Sequence, residues 1–222
     1  FDLYANTLEK ISPEDRSVGF RGVRYKILSY LKEGSGFAKK LVEEYEEDGI
    51  SPEEKIQQIK QAQVNVSKFM RRLLVRRFES SIGAFNFSLK NMIISSEKIL
   101  EWYENIKEIP IYKKGELPTV ETLKDLEDDE LESLLSDFES KGLIRVPTAE
   151  LQQDFKEHLI QDIELLKQIQ LEWSQLTQDP KYNFLKNRIS ESLAKDKKRK
   201  IVIFTEFSDT ANYVFKKLSE DG

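Results

Sequence analysis

Cysteine is absent from the 222-residue chain, and histidine occurs once, at position 158. The first absence excludes disulfides and thiolate metal centres and fits a reducing, cytoplasmic setting. The second leaves His158 without another imidazole to share a metal, so packing or a hydrogen bond is its expected role, and no metal site is expected. No apolar run approaches the roughly 18 residues of a membrane span, and no secretory leader pattern opens the chain, so no membrane partner is expected. Six prolines and nine glycines leave long stretches that nothing interrupts. Charge of one sign does not dominate either. With 35 Lys and Arg against 40 Asp and Glu, the net charge is −5, and no global basic field draws the molecule to nucleic acid. What is present is 34% charged and 39% apolar residues, a balance that suits long amphipathic helices better than a thick core. The chain opens on Phe1 rather than Met, which suggests an excised segment or a processed product.

"FDLYANT" alternates weakly and reads as a short strand. Ser12 to Asp15 reads as a helix start, and "VRYKILSYLKEGSG" and "FAKKLVEEYEEDG" as short helices closed by glycines. Ser51-Pro-Glu-Glu is a capping box with proline at the first helical position. From Pro52 to Lys107 no further proline occurs, and apolar residues recur in steps of three and four, among them Ile59, Phe69, Leu73, Phe78, Ile82, Phe85, Leu89 and Ile99. The spacing predicts a helix of up to about 56 residues, roughly 84 Å long, with Gly83 the expected place for a bend. Pro110 to Pro118 reads as a loop. Residues 116–142 carry ten acidic and two basic side chains among short amphipathic helices, and "LIRVP" is an extended piece. Thr148 is a candidate cap for a second long helix, with Phe155, Leu159, Ile163, Leu166 and Trp173 inward. Its apolar stripe predicts antiparallel packing on the helix from Pro52 through Phe69, Leu73, Ile82 and Phe85. Trp102, Tyr103 and Trp173 read as bundle core rather than base-stacking platforms.

After Asp179-Pro180 the character changes. A helix with Tyr182, Leu185, Ile189 and Leu193 inward leads to a basic turn. Then comes "IVIF", Ile201 to Phe204, which reads as a strand buried on both faces, followed by a helix capped by Ser208. Helix, strand, helix is one slice of a doubly wound sheet. The expected fold class is therefore mainly α: long antiparallel helices, bundle-like or coiled-coil-like, over 1–178, and a small α-β-α piece over 179–222. Ile201 to Phe204 is expected to be buried, with Leu3 to Asn6, or the same strand of a second molecule, pairing with it.

Two stretches carry more than pattern: "FMRRLLVRRFESSIGAFNFSLKNMI" and "DPKYNFLKNRISESLAKDKKRKIVIFTEFSDTANYVFKKL". Together they resemble the Swi/Snf-type branch of the superfamily-two helicases, its bacterial members above all. The resemblance implies that residues 1–178 form the helical region between two RecA-like lobes. Residues 179–222 then open the second lobe, with the "IVIF" strand as helicase motif IV. It implies a parent enzyme that binds ATP and magnesium, acts on DNA and completes itself with the missing lobes of the same chain. G-x-x-x-x-G-K-[ST] is absent. Asp128-Asp129-Glu130 sits among helix formers rather than after a buried strand, and no motif VI arginine follows. The 222 residues alone are therefore expected to carry no catalytic residues and no cofactor, and neither to bind nor to hydrolyse ATP. The same composition also suits a stand-alone antiparallel helical interaction module.

Lys68, Arg71, Arg72, Arg76 and Arg77 place five cations in ten residues without an acid. Arg71, Arg72 and Arg76 share a helical sector of about 140°, with Arg77 farther round. They read as a phosphate-contacting face on nucleic acid, as a solvated face, or as a partner for the acidic run from Glu121 to Glu139. Lys198 and Arg199, in the basic turn, are a second nucleic-acid candidate, or a soluble loop. Thr205, Ser208 and Thr210 stand where ligands sit in open α/β sheets, at a strand's carboxyl end and a helix start, though Glu206 and Asp209 add negative charge there.

Overall fold

The computed structural model describes residues 2–12, 19–43, 51–112, 143–176 and 179–221. The Ser12–Asp15 helix start and the acidic run of 116–142 fall wholly or largely outside them. The protein is mainly α, and its order is α1 (Asp2–Ile11), two 3₁₀ turns (Val23–Tyr25 and Ile27–Tyr30) and α2 (Gly36–Glu43). Next come α3 (Pro52–Ser80), α4 (Ile82–Glu101), a π turn (Trp102–Ile106) and β1 (Glu108–Tyr112). The order closes with β2 (Leu143–Pro147), α5 (Asp154–Ser174), α6 (Pro180–Lys195) and α7 (Ser208–Asp221).

The helix expected from Pro52 to Lys107 begins as read. Ser51 accepts from the Glu54 amide while Glu54 accepts from the Ser51 amide, completing the capping box. It does not run straight through, because Ser81 ends it. That one residue, at φ −156° and ψ 155°, closes α3 through its amide to the Arg77 carbonyl. It also opens α4 by accepting from the Ala84 amide at 3.0 Å. A hydroxyl that satisfies a freed amide makes the break cheap, which is why it falls at Ser81 rather than at Gly83. The two helices fold back as a hairpin. Phe78 meets Phe85 beside the elbow with ring centroids 5.0 Å apart, and Ile59 and Ile99, near the far ends, share another apolar cluster.

α5 fills the groove of this hairpin. Phe85 meets Trp173, Lys167 pairs with Glu97 at 2.5 Å, and Tyr103 stacks on Phe155, so α5 runs antiparallel to α4. Against α3 it runs parallel: Phe78 meets Trp173 at 5.1 Å, while both Ser67 and Asp162 bond the backbone of Arg21. The antiparallel pairing expected for the helix from Pro52 thus holds for its second half and is reversed for its first. Phe85, Leu89, Phe155, Leu159 and Leu166 are each 0% exposed. Burying side chains of this size contributes about 1.5–3 kcal/mol apiece. Trp173 sits at the centre with Tyr4, Phe78 and Phe85 edge-on around it.

Four sequence expectations give way here. "FDLYAN" is helical, because Leu3, Thr7 and Ile11 recur every fourth residue and face the core, where the Trp173 indole donates to Thr7 at 2.8 Å. "VRYKILSY" forms 3₁₀ turns because its amides have other acceptors. The buried Asp162 carboxylate takes those of Arg21 and Val23 at 2.7 and 2.8 Å, and Gln63 takes that of Leu28. Burial pushes the Asp162 carboxyl up from its usual range, against the pull of the Val23 and Arg21 amides. The second long helix starts at Asp154 rather than at Thr148, which opens a 3₁₀ turn. The start of the expected Pro110 loop is instead β1, paired antiparallel with the "LIRVP" strand in the register Ile109↔Val146.

At the C-terminal end the two helices stand as expected, but Ile201 to Phe204 belongs to no sheet. The expectation that it is buried is overturned: Val202 is 73% and Phe204 92% exposed. The physical reason is a lack of neighbours. The Leu3 to Asn6 segment is spent as a helix, and among the described residues β1 and β2 pair only with each other.

Candidate nucleic-acid interface

The sequence candidates fall into three groups. Lys198 and Arg199 lie on the exposed turn between α6 and Ile201. The Lys198 amide donates to Asp196 Oδ1 at 3.0 Å, and the Arg199 guanidinium to Ser192 Oγ at 3.1 Å, so the turn is self-contained. The others, Arg71 and Arg72 apart, converge at the elbow between α3 and α4, where the C-terminal unit docks.

That docking joins the two stretches singled out in the sequence. Arg76 pairs with Glu206, both side chains about half exposed. Arg77, 0% exposed, pairs with Asp209. Phe207 is buried between these pairs, with the Arg77 guanidinium carbon 5.1 Å and that of Arg76 5.9 Å from its ring centroid. The buried Thr210 hydroxyl bonds Ser80 Oγ at 2.8 Å and Ser81 Oγ at 2.9 Å. The Lys181 ammonium donates to the free carbonyls at the end of α3, those of Glu79 and Ser80. Gly83 sits flat against Tyr213, where an added Cβ would lie 2.6 Å from the ring. Tyr213 in turn donates to Asp179 at 2.8 Å, and its hydroxyl is pushed well above its usual range by burial and then by that carboxylate. Tyr182, donating to Asp221, is pushed up to about 12, first by desolvation and then by the same kind of bond.

Arg76 and Thr210 are therefore engaged within the chain. Among the described residues the acids that pair with Arg76 and Arg77 come from "TEFSDT"; the acidic run offered as a partner lies outside the described residues. Arg71 is half buried, its guanidinium donating to the Phe20 carbonyl at 2.7 Å. Arg72 is exposed. Thr205 hydrogen-bonds locally with the amide of Phe207, and Ser208 begins α7. Sequence reasoning missed Ser80, Ser81 and Lys181, and it named Arg77 and Asp209 without pairing them. A signal existed, since two adjacent arginines match two acids three residues apart.

His158 accepts or donates at Nδ1 with the Tyr30 hydroxyl at 3.1 Å, in line with its expected structural role. Trp173 is core, Tyr103 stacks on Phe155, and Trp102 is partly buried. Beside the docking contacts, a cavity of about 720 Å³ opens between α6 and α7, lined by Phe184, Leu185, Ile203, Phe204, Val214 and Leu218. Among the described residues no helix is long and apolar enough to cross a membrane, and no cluster of acids or histidine suits a metal ion. No family model, curated protein or solved structure matches the chain.

Proposed function

We propose that the chain is the inter-lobe helical region and the opening of the second RecA-like lobe of a cytoplasmic Swi/Snf-type DNA helicase or translocase. The observation that carries this reading is the docking of the two resembling stretches on each other. "RRFESSIG" and "TEFSDT", over a hundred residues apart in sequence, meet through Arg76, Arg77, Ser80 and Ser81, and Gly83 packs on Tyr213 just beyond. The bare apolar side chains of Ile201 to Phe204 and of the neighbouring cavity fit a unit that packs against further strands of a motor lobe. In this reading residues 1–178 set the spacing of the two lobes. Residues 179–222 move with the second lobe, and the elbow passes lobe closure from one to the other. ATP, magnesium and DNA belong to the whole motor. This chain supplies neither phosphate cradle nor arginine finger and works as its connecting part.

The test uses the polypeptide that flanks this segment in its own gene. The whole product is expected to hydrolyse ATP faster with duplex DNA, and the 222-residue chain to release no phosphate above buffer. A whole product without DNA-stimulated hydrolysis overturns the reading. That outcome favours the alternative, a helical interaction module, which has its own support in Phe87 and Leu171, 44% and 61% exposed side by side on α4 and α5.

A further inference from the structure

Among the described residues, Arg77 is the least satisfied buried cation. Its side chain is fully buried, yet only one guanidinium nitrogen reaches Asp209, and Nε and Nη2 are buried with no hydrogen-bond partner among the described residues. A buried ion pair repays its desolvation only when the remaining donors are also satisfied. This contact therefore holds the C-terminal unit less firmly than its burial suggests. Its neighbour Arg76 lies on a ridge with Lys68 and Arg72, all three exposed, at intervals of four residues, so that cations recur about every 6 Å along α3. The ridge ends at the elbow, where Glu206 and Asp209 bring the only carboxylates that pair with Arg76 and Arg77 among the described residues.

We propose that Glu206 and Asp209 occupy, within the chain, the places that nucleic-acid phosphates take on Arg76 and Arg77. A nucleic-acid backbone laid along the ridge exchanges one set of anions for the other and undocks α7 from the elbow. The inference rests on the reading of the chain as part of a DNA-acting protein, and it adds an autoinhibitory contact to it. Two acids three residues apart present negative charge to two adjacent guanidinium groups, as a phosphate backbone does. Phosphates also offer more acceptor oxygens, enough to satisfy the Arg77 donors that Asp209 leaves unbonded.

The absence of cysteine provides a clean test. Ser80 Oγ and Thr210 Oγ1 lie 2.8 Å apart, so the full chain with Ser80→Cys and Thr210→Cys can be closed by oxidation and reopened by reductant. Binding of a short fluorescein-labelled DNA duplex is followed by anisotropy. The reduced protein is expected to bind about tenfold more tightly than the oxidised one at low salt. Its salt slope should be steeper by about 1.8, the value for two added phosphate contacts. The Glu206→Gln variant, which leaves the buried pair intact, is expected to bind more tightly than the parent. Equal binding by the oxidised and reduced forms overturns the proposal, as does no duplex binding by the folded, reduced protein. Neither result touches the hydrolysis test of the whole polypeptide, so the two readings fail separately.

Discussion

In the hairpin and α5, Phe85, Leu89, Phe155 and Leu159 are each 0% exposed, whereas in the C-terminal unit Phe184 is 67% and Phe215 75% exposed. The two regions are built on opposite principles. The hairpin and α5 cover one another's apolar stripes, so their stability comes from burial and packing. The unit of α6 and α7 buries little of its own apolar surface. It is held to the elbow by Phe207 and by a ring of polar contacts through Lys181, Glu206, Asp209 and Thr210. The first region should therefore answer to changes of volume and hydrophobicity, and the second to changes of charge and hydrogen bonding.

The largest break in that contrast is Leu73→Asp. It puts a charge at a site 2% exposed and should cost about 4 kcal/mol or more, enough to remove cooperative unfolding in a urea titration. Unfolding like that of the parent would mean that the stripe of α3 is not core. Next is Asp209→Ala, which strands Arg77. Losing one partner of a buried pair costs about 3–5 kcal/mol when the other stays buried. Here the unit can undock instead. Amide exchange should accelerate across α7 while α4 and α5 keep their protection. Uniform loss of protection would show that the two regions are one cooperative unit.

How much of this was legible in the sequence differs in the same way. The stripes of Ile59 to Ile99 and Phe155 to Trp173 announced two apolar faces, because a period of 3.6 survives any tertiary context. The elbow was not legible. Ser81 caps a helix from outside and looks like any other serine inside one, and nothing in a one-residue turn departs from helical spacing. The strand at "FDLYAN" was misread because a seven-residue stretch with Leu3 and Thr7 satisfies both periods, and the Trp173 site that chooses between them is distant in sequence. At the candidate site the basic cluster and the acids Glu206 and Asp209 were both visible, but their pairing was not. Helical angles set Arg77 apart from Arg71, Arg72 and Arg76, yet they do not say that Arg77 is the one turned inward.

A finer instrument for separating the regions is Gly83→Ala. Within α4 the methyl should add up to about 1 kcal/mol of helix propensity, while its Cβ would meet Tyr213 ring atoms at 2.6–2.7 Å. The hairpin should melt no earlier than the parent. The Tyr213 fluorescence environment should change, and Gly83→Ala combined with Tyr213→Ala should restore docking. A hairpin weakened along with the docking would mean that the clash is absorbed by α4 itself. The smallest effect belongs to Ser51→Ala. It removes the acceptor for the Glu54 amide at the exposed start of α3 and should cost about 1 kcal/mol by denaturant midpoint, with no effect on α7.

The turn at Ser81 also sets a timetable. Phe78 and Phe85 are neighbours along the chain as well as in space, so α3 and α4 can zip together from the elbow outward with almost no loop to close. Trp173 reaches the same aromatic pair only after the chain has returned from β2, a closure over many more residues. Collapse of the hairpin should thus come first in refolding and seating of α5 later. A tryptophan signal from Trp173 would then lag the appearance of helix, and α7 would be the last element to find its place, since its anchor points exist only once the elbow has formed.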